Sequence, residues 1–236
     1  MSDTPDTTPV DEYTRLISLA VHELRTPLSV VSGYLRMLRD GLGDGDRQRR
    51  MITEAEKSCR RLGALVEELS DLGKLDAGTA TIAEETFDVF TLIRDVAASL
   101  PRETGEEPRL EVEVPTSAGR LTGDKTRLRA ALACAMRAVM REHGPSSTVV
   151  VDARRTTEDG HPVALILVAP AGELEQVKQA QRSPLNETRG GLGLGLPIAR
   201  RVVGRFGGEI WSVVVPDSDG RAGARGALGL ALPVSD

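Results

Sequence analysis

Apolar residues recur every three or four positions near the start of the chain, at Leu16, Ala20, Leu24, Leu28, Val31, Leu35 and Leu38. A helix turns once in 3.6 residues, so these positions form one stripe and predict a helix over 11–40. Gly41-Leu42-Gly43-Asp44-Gly45 breaks it. A second stripe, Ile52, Cys59, Leu62, Leu65, Val66, Leu69 and Leu72, predicts a helix to about position 75, ended by Asp76-Ala77-Gly78. Two long helices joined by a short loop make an antiparallel hairpin. Neither stripe can fully cover the other, so the hairpin is expected to pair with a second copy as a four-helix bundle, a homodimer.

The pattern then changes. Residues 79–85 are polar and read as a linker. Beyond them come an apolar piece at 87–89, a helix at 90–102, and the alternating strand Leu110-Glu111-Val112-Glu113-Val114. A long helix is expected over 124–143, strands at 148–154 and 163–168, a helix at 196–206, and strands at 209–215 and 227–232. Helices on one face of a mixed sheet give an α+β layer. The predicted organisation is a disordered tail at 1–10, a helical hairpin at 11–78, the linker, and an α/β-sandwich domain at 86–236.

Composition narrows the partners. The 236 residues carry a net charge of -5, which argues against nucleic-acid binding, because phosphate affinity needs a clustered basic surface. Arginines at 47, 49, 50, 60 and 61 interleave with apolar helical positions and read as solvated helix faces. The first eleven residues lack the basic start and apolar core of a secretory signal. The longest apolar run, 163–169, is too short to cross a bilayer, so no membrane insertion is expected. Cys59 and Cys134 have no metal-ligand spacing, which fits a reducing cytoplasm.

Candidate chemistry lies in His22-Glu23-Leu24-Arg25-Thr26-Pro27-Leu28. His22 is two residues from both Ala20 and Leu24, about 200° around the helix, and therefore faces outward. Thr26 stacks beside it one turn on. A neutral imidazole is nucleophilic through one nitrogen while the other keeps its proton, and Glu23 is placed to fix that tautomer. Pro27 removes a backbone donor and should bend the helix just after this turn. The string closely resembles the phosphoacceptor box of two-component sensor histidine kinases, and the hairpin, with its Lys74-Leu75-Asp76-Ala77-Gly78 ending, is similar to that family's dimerisation and phosphoacceptor domain. The resemblance implies that His22 is the phosphoacceptor, with Glu23 and Thr26 as catalytic neighbours, and that a response-regulator receiver domain is a partner.

The second domain resembles the family's ATP-binding domain, shared with gyrase, chaperone and mismatch-repair ATPases. Gly190-Gly191-Leu192-Gly193-Leu194-Gly195-Leu196-Pro197 and the later Phe206-Gly207-Gly208-Glu209 carry the likeness. Glycines let backbone amides approach phosphate oxygens at a helix start. The resemblance implies Gly172, Gly191, Gly193 and Gly195 as nucleotide-binding positions, yet the pattern departs where relatives hold Mg-ATP. Ala138 falls at the asparagine that helps bind magnesium, Cys134 at the asparagine before it, Pro170 at the adenine-binding aspartate, and Leu174 at a glycine. Alanine offers no ligand, a thiol suits magnesium poorly, and proline has neither side-chain acceptor nor backbone donor. Asn186, Glu187 and Thr188 are candidates for replacement contacts. The expectation is weak or absent Mg-ATP binding and phosphotransfer through His22 to or from a response-regulator aspartate. An autophosphorylating kinase and a nonenzymatic adaptor are the alternatives.

Overall fold

The computed structural model describes residues 9–41, 44–100, 108–116, 118–213 and 226–235. They form two compact units, 1–78 and 79–236.

The first unit is a helical hairpin of α1 (Pro9–Arg39) and α2 (Gly45–Asp76). Asp44 caps α2 by accepting the Arg47 amide at 3.0 Å. At the other end the amides of Ala77 and Gly78 return to the carbonyls of Gly73 and Leu75. Leu42 and Gly43, part of the expected break, lie outside the described residues, as does most of the expected tail. The helix α1 runs on through Pro27, which is buried; its missing N–H leaves the Glu23 carbonyl without its usual donor four residues on.

Burial divides the stripe read from the sequence. Leu16 and Ala20 are buried, whereas Leu28 and Leu35 are 55% and 57% exposed. Ile17 and Val21 are exposed too. A second apolar line therefore runs Ile17, Val21, Leu24, Leu28, Val31, Leu35, Leu38, alternating steps of four and three. A bundle helix needs one line for its hairpin partner and another for what lies beyond.

The second unit begins with β1 (Glu85–Asp88) and α3 (Val89–Ser99), where Asp88 accepts the Thr91 amide at 2.7 Å as the N-cap. Then follow β2 (Arg109–Glu113), β3 (Arg120–Gly123), α4 (Lys125–Met140), β4 (Thr148–Glu158) and β5 (His161–Pro170). A 3-10 turn (Ala171–Glu173) leads to α5 (Leu174–Gln179), β6 (Arg182–Ser183), a second 3-10 turn (Arg189–Gly191), α6 (Gly195–Arg205), β7 (Glu209–Val213) and β8 (Ala227–Pro233). The mixed sheet has the order β2-β4-β5-β8-β7-β6, and β1 pairs with β3 separately. Only β2 and β4 are parallel in the large sheet.

The fold is α+β, a helical hairpin followed by an α/β sandwich. Phe90, Ile93, Leu128, Leu132, Met136 and Leu196 are fully buried on the three long helices. The opposite face of the sheet is also apolar: Val150, Leu167, Ala169, Trp211 and Val213 form a core with Leu174 and Val177 of α5. Neither β3 nor α5 was expected from the pattern. The ends of two expected elements, 101–102 and 214–215, lie outside the described residues.

Candidate functional site

His22 projects from α1 with its side chain 75% exposed. Its Nδ1 stands 3.6 Å from Glu23 Oε1, too long for a hydrogen bond but close enough for charge to matter. The other Glu23 oxygen faces Arg61 Nη2 of α2 at 3.9 Å, and Arg61 Nη1 faces Glu68 Oε1 at 3.9 Å. Burial pushes the Glu68 carboxyl above its ordinary value against the pull of Arg61, and the Glu23 charge adds to the rise. Thr26 is exposed one turn from His22. Sequence reasoning missed Arg61 and Glu68. Arg61 read as a solvated cation, and only the antiparallel register of the hairpin brings it to Glu23.

The glycine segment lies on α4. Ala138 is fully buried, and a Cβ at Gly190, whose φ is 66°, would stand 2.7 Å from the Cα and the carbonyl oxygen of Ala138. A Cβ at Gly195 would stand 2.8 Å from Cys134 Sγ. Both glycines thus serve close packing over the two altered positions of α4. Gly193 is buried in the turn before α6, Gly191 is exposed, and Gly172 is exposed on the separate 3-10 turn after Pro170. Pro170 is buried at the end of β5, opposite Val149.

The three replacement candidates all have partners within the chain. Asn186 donates its amide to Ser212 Oγ at 2.8 Å, and its side-chain oxygen accepts from both the amide and the hydroxyl of Thr188. Glu187 pairs with Arg200 Nε at 2.9 Å. Next in sequence, Arg189 is buried and pairs with Glu142, 3.3 Å from Nε to Oε1. Burial pushes the Glu142 carboxyl up, while Arg189 and the amides of Gly190 and Gly226 draw it back. These residues do not fit a magnesium triphosphate. The two α4 positions, Cys134 and Ala138, present no side-chain oxygen, and Gly190 and Gly195 are packed against them.

Residues 12–78 match the model of the His Kinase A (phospho-acceptor) domain. Over most of its length the chain is similar to sensor histidine kinases. It is 25% identical over 209 residues to the adaptive-response sensory kinase SasA of a Synechococcus species, covering 86% of this chain and 54% of that protein. It is 27% identical over 223 residues to the sensor-like histidine kinase SenX3 of Mycobacterium tuberculosis, covering 90% and 52%. The chain therefore spans about half the length of these two curated relatives. Among solved structures, the Acinetobacter baumannii histidine kinase AdeS shares the fold with a TM-score of 0.64 at 16% identity, over 91% of this chain and 98% of that one. Histidine kinase ThkA, solved in complex with the response regulator protein TrrA, does so with a TM-score of 0.58 at 17% identity, over 94% and 61%. No described helix of this histidine kinase relative is long and apolar enough to cross a membrane.

Proposed function

We propose that this chain is a dimeric two-component phosphotransfer protein, in which His22 exchanges a phosphoryl group with a receiver-domain aspartate in the cytoplasm and the second unit binds ATP weakly or not at all. One contrast carries the reading: His22 is open to a partner, whereas the glycine segment is packed down on α4. In the forward direction the Nε2 lone pair attacks the phosphorus of an aspartyl phosphate. The P–O bond to the carboxylate breaks with its electron pair on oxygen, and an N–P bond forms. Nδ1 keeps its proton, and the positive charge that develops on the ring is offset by Glu23. The reverse steps return the group to the aspartate.

The partner is supported by the phosphoacceptor-domain match over residues 12–78 and by the fold shared with ThkA, whose structure includes a response regulator. The dimer follows from the exposed second line on α1 and a groove of about 480 Å³ beside it, lined by Val31, Leu35, Leu38, Ile52, Ala55 and Cys59. A second copy covers this face. Losing one hydrogen bond to a charged group costs about 1.5–3 kcal/mol, roughly 10- to 100-fold in affinity, and here both the metal and adenine contacts are altered.

The test is transfer from a phosphorylated receiver domain to the purified chain. Acid-labile label should appear on wild type and vanish with His22→Ala while the dimer persists. Rapid labelling of His22 from Mg-ATP would instead make the chain an autophosphorylating kinase. Receiver binding without any label would make it an adaptor.

A further inference from the structure

A line of charge runs from His22 across the hairpin and along α2. Glu23 Oε1 faces the imidazole ring, Glu23 Oε2 faces Arg61 Nη2 at 3.9 Å, and Arg61 Nη1 reaches Glu68 Oε1 at the same 3.9 Å. Arg61 and Glu68 sit two turns apart on α2, about 10 Å along the axis at 1.5 Å per residue. The guanidinium therefore reaches along the helix and is divided between two carboxylates at equal distance. Glu68 is weakly held. Its Oε2 is buried without a hydrogen-bond partner among the described residues, and its Oε1 is too far from Arg61 for a hydrogen bond. A carboxylate that loses water without regaining donors favours its protonated form. Among the described residues, the charges acting on it are Arg61 of its own helix and Glu23 of α1.

We propose that Glu68 is a positioning residue for the transfer at His22: its carboxylate holds a share of Arg61 and so sets how much of the Glu23 charge is left to face the ring. This role rests on the phosphotransfer proposed above. With Glu68 ionised, two carboxylates stand against one guanidinium, and the line carries a net negative charge. Glu23 can then offset the positive charge that grows on the ring as the N–P bond forms and the P–O bond to the aspartate breaks. With Glu68 protonated the line is neutral. Arg61 then answers to Glu23 alone, and the ring loses part of its counter-charge. Glu68 acts through Arg61 and Glu23 rather than on the phosphoryl group.

Transfer from a phosphorylated receiver domain to the full chain, followed across pH for wild type and Glu68→Gln, tests this. Glutamine keeps the shape of the protonated acid and cannot ionise. Every other titrating group is common to the two proteins, so the ratio of their rates isolates Glu68. Burial lifts the Glu68 carboxyl above its ordinary value. The ratio of wild type to variant should be near one below that raised value and climb to about 2- to 5-fold as pH rises through it, a modest size because the charges are partly exposed. In an Arg61→Ala background, Glu68→Gln should slow transfer by less than about 1.5-fold, since its route to the ring is gone. A ratio that stays flat with pH, or an undiminished effect without Arg61, overturns the proposal. So does a Glu68→Gln chain that fails to fold or to dimerise like wild type, which would make Glu68 a part of the assembly. Absence of label on wild type at every pH would sink phosphotransfer itself and this role with it, whereas a labelled wild type that Glu68→Gln matches throughout defeats this role alone.

Discussion

In the hairpin, Val21, Leu28, Leu35, Ile52 and Val66 are between 47% and 58% exposed, while in the second unit Leu128, Leu132, Ile166, Leu196 and Leu228 are at 0%. One unit leaves its apolar surface for something else to cover; the other has covered its own. Their polar groups follow the same division. His22 stands open, whereas Arg189, Asn186 and Glu187 end on partners within the chain. The difference teaches where each kind of stability comes from. A bundle completed by a second copy gains stability with protein concentration, and a closed α/β layer does not.

The sharpest way to break this comparison is Leu28→Asp, which places a charge in each half of the proposed dimer seam. Dimer affinity should fall by at least about 1,000-fold in analytical ultracentrifugation, with the transition of the second unit unmoved. An unchanged dimer would show that the exposed line is not its seam. Next in size is Leu132→Ala, which empties part of a finished core and should cost about 2–5 kcal/mol. Its calorimetric transition should be independent of concentration, and phosphate transfer at His22 should keep its rate at temperatures below that transition.

Asp88 gives a smaller effect with a pH signature. Burial works to raise its carboxyl, but the amide hydrogen bonds from Gly119 and Thr91, helped by Arg94, outweigh it and hold the group below its ordinary value. A native value below the unfolded one means a contribution fully present above the ordinary carboxylate range and lost as pH falls through the native value. Asp88→Ala should therefore cost about 1 kcal/mol at neutral pH and flatten the acid limb of the stability profile; an acid limb identical to wild type would remove this role. Smallest is Arg61→Ala. Its 3.9 Å contacts to Glu23 and Glu68 are partly exposed, so transfer at His22 should slow by about 1.5- to 5-fold. A change beyond tenfold would make Arg61 far more than a distant steadying charge.

Much of this was legible in the sequence because it depends on periodicity or on a contiguous string. The long helices announce themselves through repeated apolar spacing, and the box around His22 stands within seven residues. The division of the α1 stripe was hidden, because steps of three and four fit both lines equally until a partner helix selects one. The strand β3 escaped notice because Leu121 is its only large apolar residue, and its pairing with β1 supplies what local pattern lacks. The pairing of Glu142 with Arg189 was invisible for a different reason. Neither belongs to a motif or an apolar stripe, and only the folded layer brings residues so far apart in sequence together in a buried setting.

Trp211 has an optical consequence. It is the chain's one tryptophan, and both tyrosines, Tyr13 and Tyr34, belong to the hairpin. The indole is 4% exposed, with the Arg182 guanidinium 3.9 Å from its ring centroid. Excitation at the red edge of the absorption band therefore addresses the second unit alone, while tyrosine emission originates in the first. The native sequence already carries a separate optical reporter in each unit, and tyrosine and tryptophan emission can follow the two in one cuvette without a label.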